Sequence, residues 1–327
     1  MGEPAGIGPD ITALAWLNRA AGLPPFVYVG CARILADRAA RLGLDIAIEE
    51  ISEPSQAPSV FTHALPVLPL VCAPSEPGKP SAATAGAVIE AIETSVRLAQ
   101  AGEVAGVVTN PIAKSVLTRA GFAHRGHTEF LAELARRPPG RKPPPNAVMM
   151  LVSEELKVVP ATCHIPLAEV SHALTTDLVF ETGSIVAREL TQRFGLAEPR
   201  LAISGLNPHA GEDGTMGRED ADIITPAIGK LRDAGIDASG PWPADTMFHA
   251  TARARYDAAI CMYHDQALIP IKTLAFDRAV NVTLGLDFIR TSPDHGTAFD
   301  IAGSGAARAT SLIEALKLAG YLARGTS

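Results

Sequence analysis

The sequence has few cysteines and no long apolar run, and these two shortages exclude several classes of protein. Four cysteines occur among 327 residues, at positions 31, 72, 163 and 261, and no two of them form a CxxC pair. A disulfide framework or a structural zinc knuckle is therefore not expected. No apolar run reaches the roughly 18 residues that a membrane span needs. The first residues show no basic stretch followed by an apolar one, so we expect no secretion signal and a cytoplasmic protein with free thiols.

Positive charge is also scarce. The chain has 28 Lys and Arg against 35 Asp and Glu, which gives a net charge of −7. Nucleic acids and anionic membranes attract basic surfaces, so we expect neither as a partner. A small anionic substrate stays compatible, because a local group of basic residues can outweigh the global sign. The sequence contains no P-loop, GxSxG or kinase signature, and the N-terminal GEPAGIG is not a GxGxxG fingerprint.

What is present is an ordinary globular composition, with 47% hydrophobic and 19% charged residues. The length suits two domains or one large α/β unit. Helices are predicted over residues 11–21, 32–42, 81–101, 113–120, 130–136, 167–174, 176–194, 219–234, 247–253 and 305–323. Strands are predicted over residues 26–29, 46–51, 65–71, 104–108, 147–152, 156–162, 200–204 and 258–263. This alternation predicts βαβ units and a mostly parallel sheet, with some antiparallel pairing at 147–162.

The N-terminal turn raises two local expectations. Asp10 precedes the first predicted helix, where a carboxylate can cap the exposed backbone N–H groups. A glycine-rich turn such as GEPAGIG usually follows a strand, so a leading strand before Met1 is a further expectation.

The rest of the chain is organised around residues 258–303. An apolar strand over 258–263 leads directly to His264. Polar groups among apolar neighbours follow, namely Asp265, Lys272, Asn281, Arg290 and the loop 294–297. Ligands of parallel α/β sheets bind beyond the carboxyl ends of the strands. We therefore expect these side chains to line a binding cleft.

Three histidines share one local pattern. His164, His209 and His264 each follow a short apolar strand and precede a predicted loop, so they can converge at one edge of a sheet. Three neutral imidazoles can hold a catalytic divalent ion and leave a position open for water or substrate. The alternative is that each is a hydrogen-bonded histidine at a strand end. Asp245 and Asp265 can orient these imidazoles or ligate directly, and for each of them loop capping is the alternative.

A second group of residues suits an anion. GHTE at 126–129 places His127 and Thr128 at a predicted helix N-terminus, where backbone N–H groups and the helix dipole favour phosphate or carboxylate. Helix capping by Thr128 is the simpler reading and is compatible with the first. Lys272 and Arg290 add positive charge, and a guanidinium can grip an oxyanion with two hydrogen bonds. Solvation at the surface is the alternative for either basic residue alone.

Together the motifs resemble one known family along nearly the whole chain. They are MGEPAGIGPD, TNPIAKSVL, GHTEFLAEL, CHIPL, GLNPHAGEDG, PADTMF, YHDQALIPIK and NVTLGLDFIRTSPDHGTAFDIAG. This set resembles the 4-hydroxythreonine-4-phosphate dehydrogenases of pyridoxine biosynthesis. The segment DHGTAFDIAG is also similar to the HGSAPDIAG segment of isocitrate and isopropylmalate dehydrogenases, which share that fold.

The resemblance implies a fold and an assembly. We expect a homodimer whose subunits have two α/β/α domains around a mixed, mostly parallel sheet, with the active site in the cleft between the domains. Residues 1–125 with 285–327 would form the dinucleotide-side domain. Residues 126–284 would form the central domain for metal, substrate and dimerisation.

The resemblance also implies roles for the residues singled out above. A divalent metal (zinc, magnesium or cobalt) would be held by His164, His209 and His264, one of them donated by the partner subunit. Substrate contacts would fall on His127, Thr128, Lys272, Asn281 and Arg290. The dinucleotide, NAD or NADP, would lie along a surface that includes Asp294, His295, Gly296, Thr297 and Asp300. The general base is left open among Asp245, Asp265 and Lys272.

The implied reaction is oxidation of 4-phosphooxy-L-threonine to a 3-keto acid, which loses carbon dioxide to give 3-amino-2-oxopropyl phosphate. A relative acting on a four-carbon sugar-acid phosphate (D-threonate or D-erythronate 4-phosphate), or on an aromatic cis-dihydrodiol, is the alternative within the same fold. A three-histidine metal hydrolase or a metal-binding protein is the alternative from another class.

Overall fold

A computed structural model describes residues 1–122, 124, 127–136 and 147–325, except the side chains of residues 127, 128 and 136. Within these residues the strands are β1 (Tyr28–Gly30), β2 (Ile48–Glu50), β3 (Leu65–Pro69), β4 (Val107–Val108), β5 (Val148–Val152), β6 (Lys157–Pro160), β7 (Leu201–Ser204), β8 (Ala238–Trp242), β9 (Ala258–Cys261), β10 (Val280–Leu284) and β11 (Arg290–Pro293). The helices are α1 (Gly8–Leu17), α2 (Ala32–Arg41), α3 (Ala57–Val60), α4 (Ala85–Gln100), α5 (Lys114–Arg119), α6 (His127–Arg136), α7 (Leu167–Ala173), α8 (Thr176–Gln192), α9 (Thr225–Asp233), α10 (Ala250–Arg253), α11 (His264–Ala275) and α12 (Thr310–Arg324).

The chain divides into two compact units. The first unit comprises Met1–Pro144 and Leu286–Arg324, and the second comprises Pro145–Gly285 with Gly325–Ser327. The sequence places residues 126–284 in the central domain, whereas α6, over residues 127–136, lies in the first unit. A physical reason is that α6 packs against α4 of the first unit.

The first unit contains parallel strand pairs covered by helices. In one group β3 lies between β1 and β2, and all three strands are parallel. In the other group β4 pairs with β11 in parallel, and α12 packs on both of these strands. Helix α1 packs against α2 and α12, and its buried Ile11 lies in an apolar cluster with Leu312 and Leu316.

The second unit is built on six strands in the order β10, β5, β6, β9, β7, β8. β5 pairs antiparallel with both β10 and β6, whereas β6, β9, β7 and β8 run parallel to one another. The antiparallel pairing predicted over 147–162 is therefore confirmed, as is the α/β class with mixed, mostly parallel sheets. Helix α11 packs on β5, β6 and β9, with Ala267, Leu268 and Ile271 in the buried cluster beneath it.

The prediction that Asp10 caps the first helix is wrong. α1 begins at Gly8, and its N-cap residue Ile7 provides no side-chain cap. Asp10 is instead fully buried, forms an ion pair with Arg38, and accepts a hydrogen bond from the backbone N–H of Gly303 at 2.7 Å. A buried carboxylate needs such partners, because an unpaired charge in this position would cost several kcal/mol.

Helix α11 and strands β8, β10 and β11 were all missed. A loop was expected after His264, where the chain instead forms α11 with Pro270 inside it. Strand β8 contains Gly240 and Pro241, two residue types that are uncommon inside strands. β8 accepts them because it is at the end of the strand order, where the missing N–H of proline leaves no neighbour unpaired on its outer side.

Two further findings concern the cysteines and membrane spans. Cys31, Cys72, Cys163 and Cys261 all lie among the described residues, and none of them forms a disulfide bond. Among the described residues, none of the helices has the length and apolar character of a membrane span.

Candidate active site

Three neighbouring parallel strands of the second unit lead into the three histidines. β6 precedes His164, β9 precedes His264 and β7 precedes His209. β9 pairs in parallel with β6 on one side and with β7 on the other. Because the carboxyl ends of parallel strands meet at one edge of a sheet, the three histidines follow strands that end at the same edge. Asp245 follows β8, the next parallel strand along.

His164 and His264 lie side by side. Their ring centroids are 5.5 Å apart, with the ring planes tilted by 46°. His164 has a φ of 53°, a left-handed conformation that is uncommon for residues other than glycine and that clusters at functional sites. His264 is the first residue of α11, and its Nδ1 lies 2.7 Å from Oδ1 of Asp265. That contact occupies Nδ1, so Nε2 is the ring nitrogen left for a metal ion.

The loop that carries His209 has an unusual backbone. The five residues from His209 to Asp213 all have positive φ, between 42° and 80°, and only Gly211 among them is a glycine. A left-handed conformation costs an L-residue about 1–2 kcal/mol, so the surrounding structure must hold this run in place. Asp220 is buried beneath the loop and accepts hydrogen bonds from the backbone N–H groups of Leu206 and Asn207.

Gln266 joins the ends of the two strands that carry His209 and His264. Its Oε1 accepts hydrogen bonds from Ser204 Oγ at 2.8 Å and from the N–H of Met262 at 2.6 Å. Its Nε2 donates to the carbonyl of Gly205 at 2.8 Å. One amide therefore couples the end of β7 to the end of β9 and to the first turn of α11.

The fit of these residues to a metal ion is partial within one chain. A pair of imidazoles such as His164 and His264 supplies two of the nitrogen ligands that zinc or cobalt prefers. Within the described part of a single chain, however, no group of three or more His, Cys, Asp or Glu residues is arranged to hold a metal. His209 thus does not complete a site with the other two in its own chain.

The first unit presents a buried cation. Arg290, the first residue of β11, is 4% exposed, and its Nη2 donates to Thr109 Oγ1 at 2.7 Å. Thr109 belongs to the TNP motif that follows β4, the parallel partner of β11. Burial lowers the pKa of the Arg290 guanidinium to about 10. The group stays charged at neutral pH, and in this poorly solvated position it would bind an anion strongly.

The N-terminal glycines are explained by close packing in the first unit. A Cβ on Gly6 would lie 2.8 Å from the carbonyl oxygen of Thr297, and one on Gly2 would lie 2.5 Å from that of Pro111. The N–H of Ile7 donates to the same Thr297 carbonyl at 3.0 Å. The turn therefore packs against the TNP and DHGT loops, which explains its glycines without a dinucleotide fingerprint.

Glu3 in that turn is a buried carboxylate. It is 1% exposed, and its Oε1 accepts a hydrogen bond from the N–H of Ala5 at 3.1 Å. Burial raises the pKa of Glu3, an effect that the Ala5 hydrogen bond opposes only in part.

Comparison with known proteins agrees with this arrangement of motifs. The family model described as "Pyridoxal phosphate biosynthetic protein PdxA" matches residues 23–319. The chain belongs to the PdxA family. The resemblance predicted from the motifs is confirmed.

Several relatives of the PdxA family have names that specify a reaction. A protein from Methylorubrum populi named 4-hydroxythreonine-4-phosphate dehydrogenase is 58% identical over 99% of this chain and 93% of its own length. A crystal structure of a protein with that name from Klebsiella pneumoniae has a TM-score of 0.88 and 36% identity, covering 99% of this chain and 98% of the other. A terephthalate 1,2-cis-dihydrodiol dehydrogenase from Burkholderia xenovorans has a TM-score of 0.65 and 29% identity, covering 98% and 95%.

The structure places the other predicted site residues of this PdxA-family chain as follows. Asp245 and Asp265 are exposed. Lys272 lies inside α11, and not at a strand exit as expected, with Nζ 5.6 Å from the ring centroid of Phe276. Asn281 is within β10, and its buried Oδ1 has no hydrogen-bond partner among the described residues.

The predicted dinucleotide residues form a turn of the first unit. The N–H of Asp294 donates to Ser311 Oγ at 3.4 Å, and Nδ1 of His295 contacts the Gly296 carbonyl at 3.1 Å. Asp300 is exposed in a short turn over Phe299–Ile301. Gly126 and the side chains of His127 and Thr128 lie outside the described residues. The backbone of α6 begins at His127, so position 128 lies in the first turn of the helix and not at the N-cap that the sequence predicted.

Sequence reasoning missed Asp220, Gln266 and the Thr109 contact of Arg290. Gln266 and Thr109 lie inside quoted motifs, YHDQ and TNP, so the motifs themselves were the signal that could have found them. Asp220 follows a loop that was singled out only for His209. Its role depends on burial, which the local sequence does not reveal.

Proposed function

We propose that the protein oxidises 4-phosphooxy-L-threonine with NAD or NADP in the synthesis of pyridoxal phosphate. The product is a 3-keto acid that loses carbon dioxide to give 3-amino-2-oxopropyl phosphate. The observation that supports this most is the placement of His164, His209 and His264 after three adjacent parallel strands in a chain of the PdxA family. The names of the similar proteins supply the substrate.

His164 and His264 would hold a divalent ion, with His209 donated by the partner subunit of a homodimer. A bound zinc, magnesium or cobalt ion supplies Lewis-acid chemistry at the secondary hydroxyl that is oxidised. Asp265 holds the His264 ring through Nδ1, which is the usual role of a carboxylate next to a ligating histidine. That role leaves Asp245 and Lys272 as the better candidates for the base that takes the hydroxyl proton.

Arg290 would bind an anionic group of the substrate together with Lys272, Asn281, His127 and Thr128. The Thr109 hydrogen bond fixes the guanidinium before the substrate arrives, so little conformational entropy is lost on binding. The turn at 294–297, with Asp300, would contact the dinucleotide. Its packing against Gly6 gives that surface a fixed shape.

Mixed dimers test the shared site. His164→Ala and His209→Ala are each expected to be inactive alone. When the two variants are unfolded and refolded together, about half of the dimers are mixed, and each mixed dimer has one intact site if His209 acts across the interface. We expect about a quarter of wild-type activity in the mixture. No recovery, with mixed dimers shown to have formed, would exclude donation of His209 by the partner.

The substrate is tested by NADH absorbance with purified protein, a divalent ion, NAD and 4-phosphooxy-L-threonine. The similarity to a cis-dihydrodiol dehydrogenase makes an aromatic cis-dihydrodiol the second candidate substrate. If NAD is reduced with that diol or with a sugar-acid phosphate, but not with the phosphorylated threonine, the proposal is overturned. If the protein binds metal tightly but no alcohol reduces NAD, a metal hydrolase or a metal-binding protein is favoured.

A further inference from the structure

We infer that Asp220 is the positioning residue for His209, and this inference rests on the function proposed above. Asp220 is 2% exposed and begins a short π-helical turn, Asp220–Ile224, that follows the histidine loop. Oδ1 accepts a hydrogen bond from the N–H of Leu206 at 2.8 Å. Oδ2 accepts from the N–H of Asn207 at 3.2 Å and from its Nδ2 at 2.9 Å.

The three donors come from consecutive residues at the start of the loop. Burying a carboxylate costs several kcal/mol unless hydrogen bonds compensate it. Leu206 and Asn207 therefore cannot move away without leaving a buried charge unpaired. The N–H of Ala210 donates to the Asn207 carbonyl at 3.1 Å, which closes a turn around His209. His209 therefore lies inside a turn whose first residue, Asn207, is held by Asp220.

Asp220 also contacts the loop on the far side of His209. A Cβ on Gly205 would lie 2.6 Å from Oδ1 of Asp220, and one on Gly211 would lie 3.2 Å from Oδ2. The loop packs onto the carboxylate before and after the histidine. This anchor keeps the left-handed run in place, since a free loop of non-glycine residues would relax to right-handed backbone. Without the anchor the His209 imidazole would lose its fixed position.

The test compares Asp220→Asn with Asp222→Asn in the full-length protein. Asparagine at 220 keeps the size but places an N–H₂ group against the N–H donors of Leu206 or Asn207. Asp222 lies in the same turn but is exposed, and its carboxylate pairs with Arg218 at 3.0 Å. Affinity for Co²⁺ is measured from its visible absorption bands, together with thermal stability. We expect Asp220→Asn to weaken Co²⁺ binding by about 10- to 100-fold, and Asp222→Asn to leave it unchanged.

A double-mutant cycle with His209→Ala separates positioning from general destabilisation. If Asp220 acts through His209, then Asp220→Asn causes no further loss of Co²⁺ affinity once the imidazole is gone. Saturating Co²⁺ should also restore the turnover of Asp220→Asn, which a merely structural defect would not allow. Additive losses, or a Co²⁺ affinity equal to that of Asp222→Asn, would overturn the inference.

Two outcomes keep this inference distinct from the proposed function. If His209→Ala itself leaves Co²⁺ affinity unchanged, the proposed metal site fails. If His209→Ala weakens binding but Asp220→Asn does not, only the role of Asp220 fails. Should Asp220→Asn not fold, Asn207→Ala removes the side-chain donor shared by Asp220 and Glu219 and leaves the backbone bonds. It should weaken Co²⁺ binding to a smaller extent, and unchanged binding would count against the inference.

Discussion

Oδ1 of Asp265 lies 2.7 Å from Nδ1 of His264, the first residue of α11. The two residues are consecutive, so the start of the helix sets this contact. A carboxylate at Nδ1 keeps the proton on that nitrogen and makes the opposite nitrogen a better metal ligand. Asp265 is therefore better placed to orient the imidazole than to take a proton from the substrate.

Asp265→Asn should weaken metal affinity by about 10- to 100-fold. The asparagine amide offers the His264 ring only a neutral acceptor, so the imidazole loses the negative charge that supports it. Metal titration checks this, with Asp233→Asn as an exposed control elsewhere in the second unit. If Asp265 were instead the general base, metal affinity would stay the same, and the acid limb of the pH–rate profile would disappear.

His209→Ala should lower kcat by at least about 100-fold, since loss of a direct ligand should exceed the effect of losing the partner of a ligand. Thermal stability should change little, because His209 is exposed and alanine at Ala210 already adopts the same left-handed backbone. Steady-state kinetics and thermal unfolding measure both quantities. His172→Ala, an exposed histidine on α7, is the control. Wild-type turnover in His209→Ala would remove this residue from the site.

Arg290→Ala should mainly raise KM, through loss of a charge-assisted hydrogen bond worth roughly 1.5–3 kcal/mol, or about 10- to 150-fold. Arg324→Ala, at the exposed end of α12, is the matched control. A pH series adds a second readout. Although burial lowers the pKa of the wild-type guanidinium to about 10, the group stays charged around neutral pH, so its contribution to KM should not vary with pH there. A large fall in kcat with an unchanged KM would contradict a role in substrate binding.

Glu3→Gln should stabilise the protein, and more so as the pH rises. The folded pKa of Glu3 is raised above its usual value of 4.5 by burial. The folded state therefore binds this proton more tightly, and that stabilising contribution is lost as the pH rises through the folded pKa. Glutamine carries no charge at any pH. The thermal midpoint of Glu3→Gln should exceed that of the wild type by a small amount near about pH 4 and by a larger amount near about pH 7.5. An equal difference at both values would contradict the argument.

Gly6→Ala should weaken dinucleotide binding. The added Cβ would lie 2.8 Å from the Thr297 carbonyl, so the 294–297 loop must shift, at a cost of about 1–3 kcal/mol. KM for NAD should rise, and the thermal midpoint should fall. Gly86→Ala is the control, because it lies in α4 with open space around its Cα and should, if anything, stabilise that helix. An unchanged KM for NAD would place the dinucleotide elsewhere.

Local pattern was sufficient for several features of the fold. The hydrophobic runs at 147–152 and 156–162 predicted an antiparallel pair, and β5 and β6 form it. Helix α4 lies within the predicted segment 81–101. Both predictions were confirmed because the periodicity of buried positions depends on residues that are close in the sequence. Strand β8 was not predicted, and it accepts Pro241 because it lies at the end of the strand order, which is a property of the tertiary structure.

The sequence by itself determined the PdxA family and the α/β class, and it showed that three histidines each follow a short strand. Motifs and periodicity are carried by residues near one another in the chain, so local sequence is sufficient for these features. Only the tertiary structure decided that β6, β9 and β7 are neighbours, that His164 and His264 form a pair without His209 among the described residues, and that Asp10 and Asp220 are buried. Strand order and burial arise from contacts between residues far apart in the sequence, and local composition does not encode them.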